Sequence, residues 1–163
     1  MLPGHGGLPR DAVPAAFDVG ARAYDRLVGA NPGYHDHLRI SARRMRLPGG
    51  GRGLRLLDAG CGTGASTAAL LEAAPHAEII AVDASAGMLA QAEGKAWPGS
   101  VRFVHTPIEG LTEAGVEGPF DGILAAYLGT MIHLIFDMNQ PFRGDVSISP
   151  EAFEAIYARM NDD

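Results

Sequence analysis

Two carboxylates and three glycines carry the clearest chemistry in this chain. In LLDAGCGTGAS, residues 56–66, an apolar run ends at Asp58, and Gly60, Gly62 and Gly64 then fall on alternate positions. A second apolar run, EIIAVD (78–83), ends at Asp83. Glycines allow the left-handed backbone of a tight turn and let a ligand approach the main chain. Between a strand and a helix, such a turn presents free N–H groups and the positive helix end to a polar or anionic group. Gly60, Gly62 and Ala65 satisfy the GxGxx[GA] spacing of a dinucleotide turn. An acid two residues before the first glycine would repel a diphosphate, however, and suits a ligand bearing an ammonium group. Asp83 is placed to accept both hydroxyls of a ribose, a device that dinucleotide sites share. Ala84 and Met88 follow it with small and apolar surface for an adenine ring.

These residues need particular elements to hold them. LRLLD (54–58), EIIAVD (78–83), VRFVH (101–105) and FDGILAAYL (120–128) read as strands. ASTAALLEAA (65–74), stopped by Pro75, and SAGMLAQAEG (85–94), capped by Ser85, read as helices. Strands alternating with helices predict an α/β fold with a Rossmann-like parallel sheet, helices on both faces and the loops after the strands gathered along one edge. Two helices are expected before the sheet. In residues 14–28, Phe17, Ala21, Tyr24 and Val28 share a face, and residues 34–46 form a basic helix. Asn31-Pro32-Gly33 is expected to separate them, and PGGGRG (48–53) reads as a linker.

Composition bounds the rest. The 163 residues are enough for one ordinary domain, 47% are hydrophobic, and a single cysteine, Cys61, excludes an internal disulfide. That cysteine usage fits a reducing, cytoplasmic compartment. The net charge of −6 argues against non-specific nucleic-acid binding. The charge is uneven: residues 1–55 carry nine Arg against four Asp, and the remainder carries four basic and fifteen acidic residues. The basic end either attracts an anionic ligand or packs on the acidic part. Residues 1–13, rich in Gly and Pro, read as a flexible tail without a signal peptide. The apolar run 123–136 has fourteen residues and includes His133, short of the ~20 that a spanning helix needs.

With Asp58 favouring an ammonium group, the ligand indicated is S-adenosylmethionine. LLDAGCGTG, AVDASAGML, VRFVHTPIEGL and PFDGILAAY together resemble the class I S-adenosylmethionine-dependent methyltransferases, and most closely the branch that methylates quinone precursors and other small molecules. AFDVGARAYDRL (16–27) is similar to the helix before the core in that branch. The resemblance covers about residues 16–128 of the chain. It implies that Tyr24 lies near the methionyl end of the cofactor and that Asp58 holds its amine through water. It implies further that the backbone at Gly60, Cys61 and Gly62 passes beneath it, that Asp83 takes the ribose hydroxyls, and that Ala84 and Met88 flank adenine. Where the family often has an adenine-binding acid, this chain has Pro107, which leaves the Ile108 backbone N–H as the donor to the ring and Glu109 two residues on. The product would be S-adenosylhomocysteine and the acceptor a small molecule.

A methyl carried on a sulfonium is already activated, so alignment does most of the catalytic work. A base is needed only when the acceptor must lose a proton, and His105, His35 and His37 are the candidates. Cys61 stands near a helix N-terminus, where thiol pKa values can fall. After Tyr127 nothing resembles the family's fifth strand, so the sheet is expected to end at about four strands. That would leave an apolar fourth-strand edge open to self-association. SPEAFEAIYARM (149–160) reads as a capped amphipathic helix in a divergent segment, 129–163. Residues 134–160 resemble weakly the C-terminus of bestrophin-like bacterial membrane proteins. Three functions are therefore compatible with the sequence: an active methyltransferase, a non-catalytic cofactor-binding remnant, and a membrane-associated protein led by its tail.

Overall fold

The computed structural model describes residues 12–30 and 32–125; the expectations for residues 1–11 and for the segment after 125 lie outside them. Two helices come first, α1 (Val13–Gly29) and α2 (Pro32–Arg44). Then β1 (Arg55–Ala59), α3 (Ala65–Ala73), β2 (Glu78–Asp83), α4 (Ala86–Glu93), β3 (Ser100–His105) and β4 (Gly122–Ala125) follow in order. All four strands are parallel, in the order β3-β2-β1-β4, with Leu57 paired to Ile80 on one side and Ile123 on the other. This is a Rossmann-like α/β sheet. Residues 122–125 lie in a strand, so the sequence from 120 onward does not begin as a helix.

Strand parity divides the core. Leu56 and Ile79 face Leu70, Leu71 and Ala42, while Ala81 on the same side packs with Leu89 of α4. Leu57, Ala59, Ile80 and Val82 face the other way, onto Val116, with Leu111 and Phe120 beside it. Helices α3 and α4 thus share one face. The opposite face, where helices were also expected, is covered by the β3–β4 connection, whose only helical turn among the described residues is a 3₁₀ turn at Ile108–Gly110. Gly115, with φ +67°, and the Gly118–Pro119 pair interrupt any longer helix there. Each fully buried Leu, Ile or Val of these layers contributes on the order of 1.5–3 kcal/mol, which makes the sheet a firm base for the loops at its edge.

The two ends of α2 differ from the sequence reading. α1 ends before Asn31-Pro32-Gly33 as expected, but α2 already starts at Pro32, because a proline at the first helical turn sacrifices no hydrogen bond. The basic face packs on the acidic part: Arg39 Nε and Arg43 Nη2 reach the two oxygens of Glu72 on α3 at 3.0 and 2.6 Å. PGGGRG is more than a linker. Gly51 is buried, and His76 N donates to Gly50 O at 3.0 Å, which fastens the segment to the α3–β2 turn.

Candidate functional site

β1 delivers Asp58 to the base of the glycine turn. Its position follows from parity, because Asp58 shares the α3 side of the strand with Leu56 and is fully buried there. Ser66 Oγ and Thr67 Oγ1, in the first turn of α3, both donate to Oδ2, at 2.9 and 2.6 Å. Oδ1 has no hydrogen-bond partner among the described residues. Burial pushes this carboxyl up to about 6, and the Asp83 charge adds to that, against the pull of the two hydroxyls. A buried carboxylate oxygen with no donor is costly. It also offers a place for a cationic or N–H-bearing group.

The turn itself is pinned from β2. Gly60 N and Cys61 N both donate to Val82 O, at 2.9 and 3.0 Å, and Gly62 N donates to Asp83 Oδ2 at 2.7 Å. Asp83 Oδ1 accepts from Ser85 N at 2.8 Å. Each oxygen of Asp83 therefore holds one backbone donor and keeps a second lone pair for a ligand hydroxyl. Ser85, not Asp83, caps α4, accepting from Met88 N at 3.1 Å.

The glycines are not equivalent. Gly60, Gly62 and Gly64 all have positive φ, at +79°, +54° and +94°. A Cβ at Gly62 would meet nothing within 4 Å, so this position faces open space that a ligand can enter. A Cβ at Gly64 would fall 2.6 Å from the Trp97 ring. Packing against Trp97 is thus a second reason for a glycine at Gly64, besides its positive φ.

The other sequence candidates are dispersed around this centre. Cys61 is buried, and burial together with the Asp58 and Asp83 charges pushes its thiol up, opposite to the lowered value its place before a helix suggested. Tyr24 is half-buried. Burial raises its phenol, and its hydroxyl pairs with that of Tyr34, with Asp83 and Asp25 near enough to add to the shift. Met88 is only 2% exposed, and Ala84 is half-buried. Thr106 N donates to Asp83 O at 3.0 Å, so the turn that begins at Ile108 starts beside Asp83; Ile108 itself is 55% exposed. His105 is exposed, with Nε2 3.0 Å from Ala84 O. His35 stands edge-on to Tyr34 at 5.3 Å, and His37 is exposed.

Two carboxylates that the sequence reading passed over, Asp18 and Asp25, tie α1 to this centre. Asp18 Oδ1 accepts from Ser85 Oγ at 2.5 Å and Gly87 N at 2.7 Å. Asp25 accepts from Thr63 Oγ1 and pairs with Lys95 Nζ at 2.6 Å. The spacing of Asp18 and Asp25, seven apart on one helix face, was the available signal. A cleft of about 370 Å³, lined by Asp25, His35, Arg39, Lys95, Trp97 and the start of α3, opens beyond Gly64, and neither Asp58 nor Asp83 lines it. Among the described residues no cluster of metal-ligating side chains occurs, and no helix is long and apolar enough to cross a membrane.

The chain is 42% identical over 92 residues to an uncharacterised protein of Synechococcus sp., covering 55% of this chain and 21% of that protein. It is 39% identical over 71 residues to the ribosomal RNA small subunit methyltransferase C of Shewanella denitrificans, covering 44% and 20%. The matched stretches thus span about a fifth of the length of these relatives. Among solved structures, a methyltransferase of Podospora anserina with SAH bound is similar at 19% identity and a TM-score of 0.44, over 82% of this chain and 67% of that one. Residues 56–141, more than half of the chain and including β1, the glycine turn, both carboxylates and β4, match the family described as a methyltransferase domain, and the chain belongs to that family.

Proposed function

We propose that this chain binds S-adenosylmethionine at the Asp58–Asp83 edge of the sheet and transfers its methyl group to a small-molecule acceptor. The observation that carries the reading is the fully buried, unpartnered Oδ1 of Asp58 below the glycine turn. A diphosphate would be repelled there, whereas an ammonium group, directly or through water, supplies the missing donor and offsets the buried charge. The remaining residues fit the same ligand. Gly62 leaves its Cβ direction open for an approach to the backbone, and Asp83 retains lone pairs for two ribose hydroxyls. Ala84 follows Asp83 directly and the Ile108 turn starts beside it, which supports an adenine site there, whereas Met88 is buried and offers the ring little surface.

The cofactor supplies a methyl group activated by its positive sulfur. The protein's part is to bind, orient and exclude water. Neither the Cys61 thiol nor the Tyr24 phenol, both raised by burial, loses its proton near neutral pH. An acceptor that needs deprotonation is therefore served by His105, His35 or His37, or by none of them. Self-association along β4 is part of the same proposal, and size-exclusion chromatography tests it. Titration calorimetry with S-adenosylhomocysteine and with NAD tests the main reading. Tighter binding of S-adenosylhomocysteine is expected, and tighter binding of NAD would overturn the assignment.

A further inference from the structure

We infer that Asp25 is a positioning residue for the cofactor loop, acting through Thr63, and that Asp18 holds the facing turn in the same way. The inference rests on the reading of the glycine turn as a cofactor cradle. Helix α1 buries little apolar surface: only Ala21 and Val28 are fully buried, with Phe17 and Tyr24 half-buried. Its fixed points are two carboxylates, two helical turns apart, and each grips one of the two loops that carry the candidate ligand contacts.

The Asp25 end forms a closed triangle. Thr63 Oγ1 donates to Asp25 Oδ1, Lys95 Nζ pairs with Asp25 Oδ2, and Lys95 Nζ also donates to Thr63 O at 2.8 Å. Thr63 lies between Gly62 and Gly64 and is 1% exposed, so its side chain has one fixed orientation with the Asp25 carboxylate as its acceptor. The turn needs three left-handed glycines on alternate positions, a shape that costs much backbone entropy to hold. Asp58 secures it from below through Ser66 and Thr67, and Asp25 secures it from above. At the other end, Asp18 binds Ser85 Oγ and Gly87 N, and Ser85 N in turn holds Asp83 Oδ1. Gly87 has its Cβ direction only 3.0 Å from the Asp18 main chain, so α1 and α4 meet there backbone to backbone. One helix thereby sets the distance between the two cofactor loops.

The test compares Asp25→Ala, Thr63→Val and Thr63→Ser with the parent chain, with Asp36→Ala on the exposed face of α2 as the control for charge loss. In the ligand-free protein, hydrogen exchange of residues 60–67 should rise roughly tenfold or more in Asp25→Ala and Thr63→Val, the scale for losing a charge-assisted hydrogen bond. Thr63→Ser and Asp36→Ala should stay within about twofold, and the double variant Asp25→Ala/Thr63→Val should be no worse than either single change. S-adenosylhomocysteine should bind roughly 10- to 100-fold more weakly to Asp25→Ala, and in turnover the KM for S-adenosylmethionine should rise with little change in kcat. Unchanged exchange at 60–67 overturns the inference, and so does faster exchange with unchanged affinity. A parent chain that fails to bind S-adenosylhomocysteine overturns the cradle reading instead, while the exchange measurement still decides whether Asp25 orders the loop.

Discussion

Replacing Asp58 by asparagine should stabilise the ligand-free protein at alkaline pH while abolishing tight cofactor binding. The carboxyl is raised from 3.8 to about 6, chiefly by burial. At 1.36 kcal/mol per unit, two units make the ionised group a cost of about 3 kcal/mol to the folded state. Between about pH 4 and 6 the folded chain keeps a proton that the unfolded chain has released, so stability falls as pH rises through that window and the cost is complete above it. Asparagine removes the charge, and its amide oxygen can still accept from Ser66 and Thr67. Its amide nitrogen then stands where Oδ1 has no partner, a penalty of about 1–3 kcal/mol. The expected balance is a gain of about 0–2 kcal/mol at pH 8 and a loss at pH 4. Urea unfolding of both proteins across this range is the assay. A variant less stable than the parent by the same amount at every pH would refute the reasoning, because Asp58 would then be a satisfied structural acid.

In the parent chain, affinity for S-adenosylhomocysteine should increase as pH rises through about 6, since only the ionised Asp58 attracts an ammonium group; calorimetry at several pH values reads this, and a flat profile would count against contact. Asp83→Ala should weaken that binding by about 1.5–3 kcal/mol, the range for losing a charged acceptor, and should also free Gly62 N and Ser85 N. Gly64→Ala should cost roughly 2–4 kcal/mol in a denaturant melt, from overlap with Trp97 and a strained φ. Gly62→Ala should cost only the strain, about 1–3 kcal/mol, but should lose far more in ligand affinity. Pro107→Asp should restore a side-chain acceptor beside Ile108 and tighten S-adenosylhomocysteine binding; equal affinities would mean that Glu109 already serves or that adenine lies elsewhere.

What the sequence made legible was local. EIIAVD was read with its final bounds because a short, fully buried parallel strand is a continuous apolar run ended by a polar residue. Ser85 was read as the cap of α4 because its hydroxyl needs only the next turn of chain. The errors came where the deciding partner is remote or the local signal has two meanings. Pro32 breaks a helix or begins one with equal ease. Gly64 also packs against Trp97, thirty-three residues on, a constraint that no turn pattern announces. Asp18 and Asp25 were passed over because their partners Ser85 and Thr63 lie 67 and 38 residues away along the chain.

Asp58 shows how the two kinds of information combine. Its place at the end of an apolar strand, before the glycines, pointed to a ligand. The structure makes it a buried strut whose one oxygen fastens the start of α3 and whose other oxygen is left without a donor. A residue selected for stability alone would be an asparagine or an apolar side chain, since either avoids the buried charge. Its neighbour across the turn, Asp83, meets two backbone N–H donors and carries no such burden. The two acids are therefore separable by experiment. Losing the Asp83 carboxylate should harm both the fold and binding, whereas losing the Asp58 charge should set them in opposition. That opposition is the property expected of a group kept for its ligand.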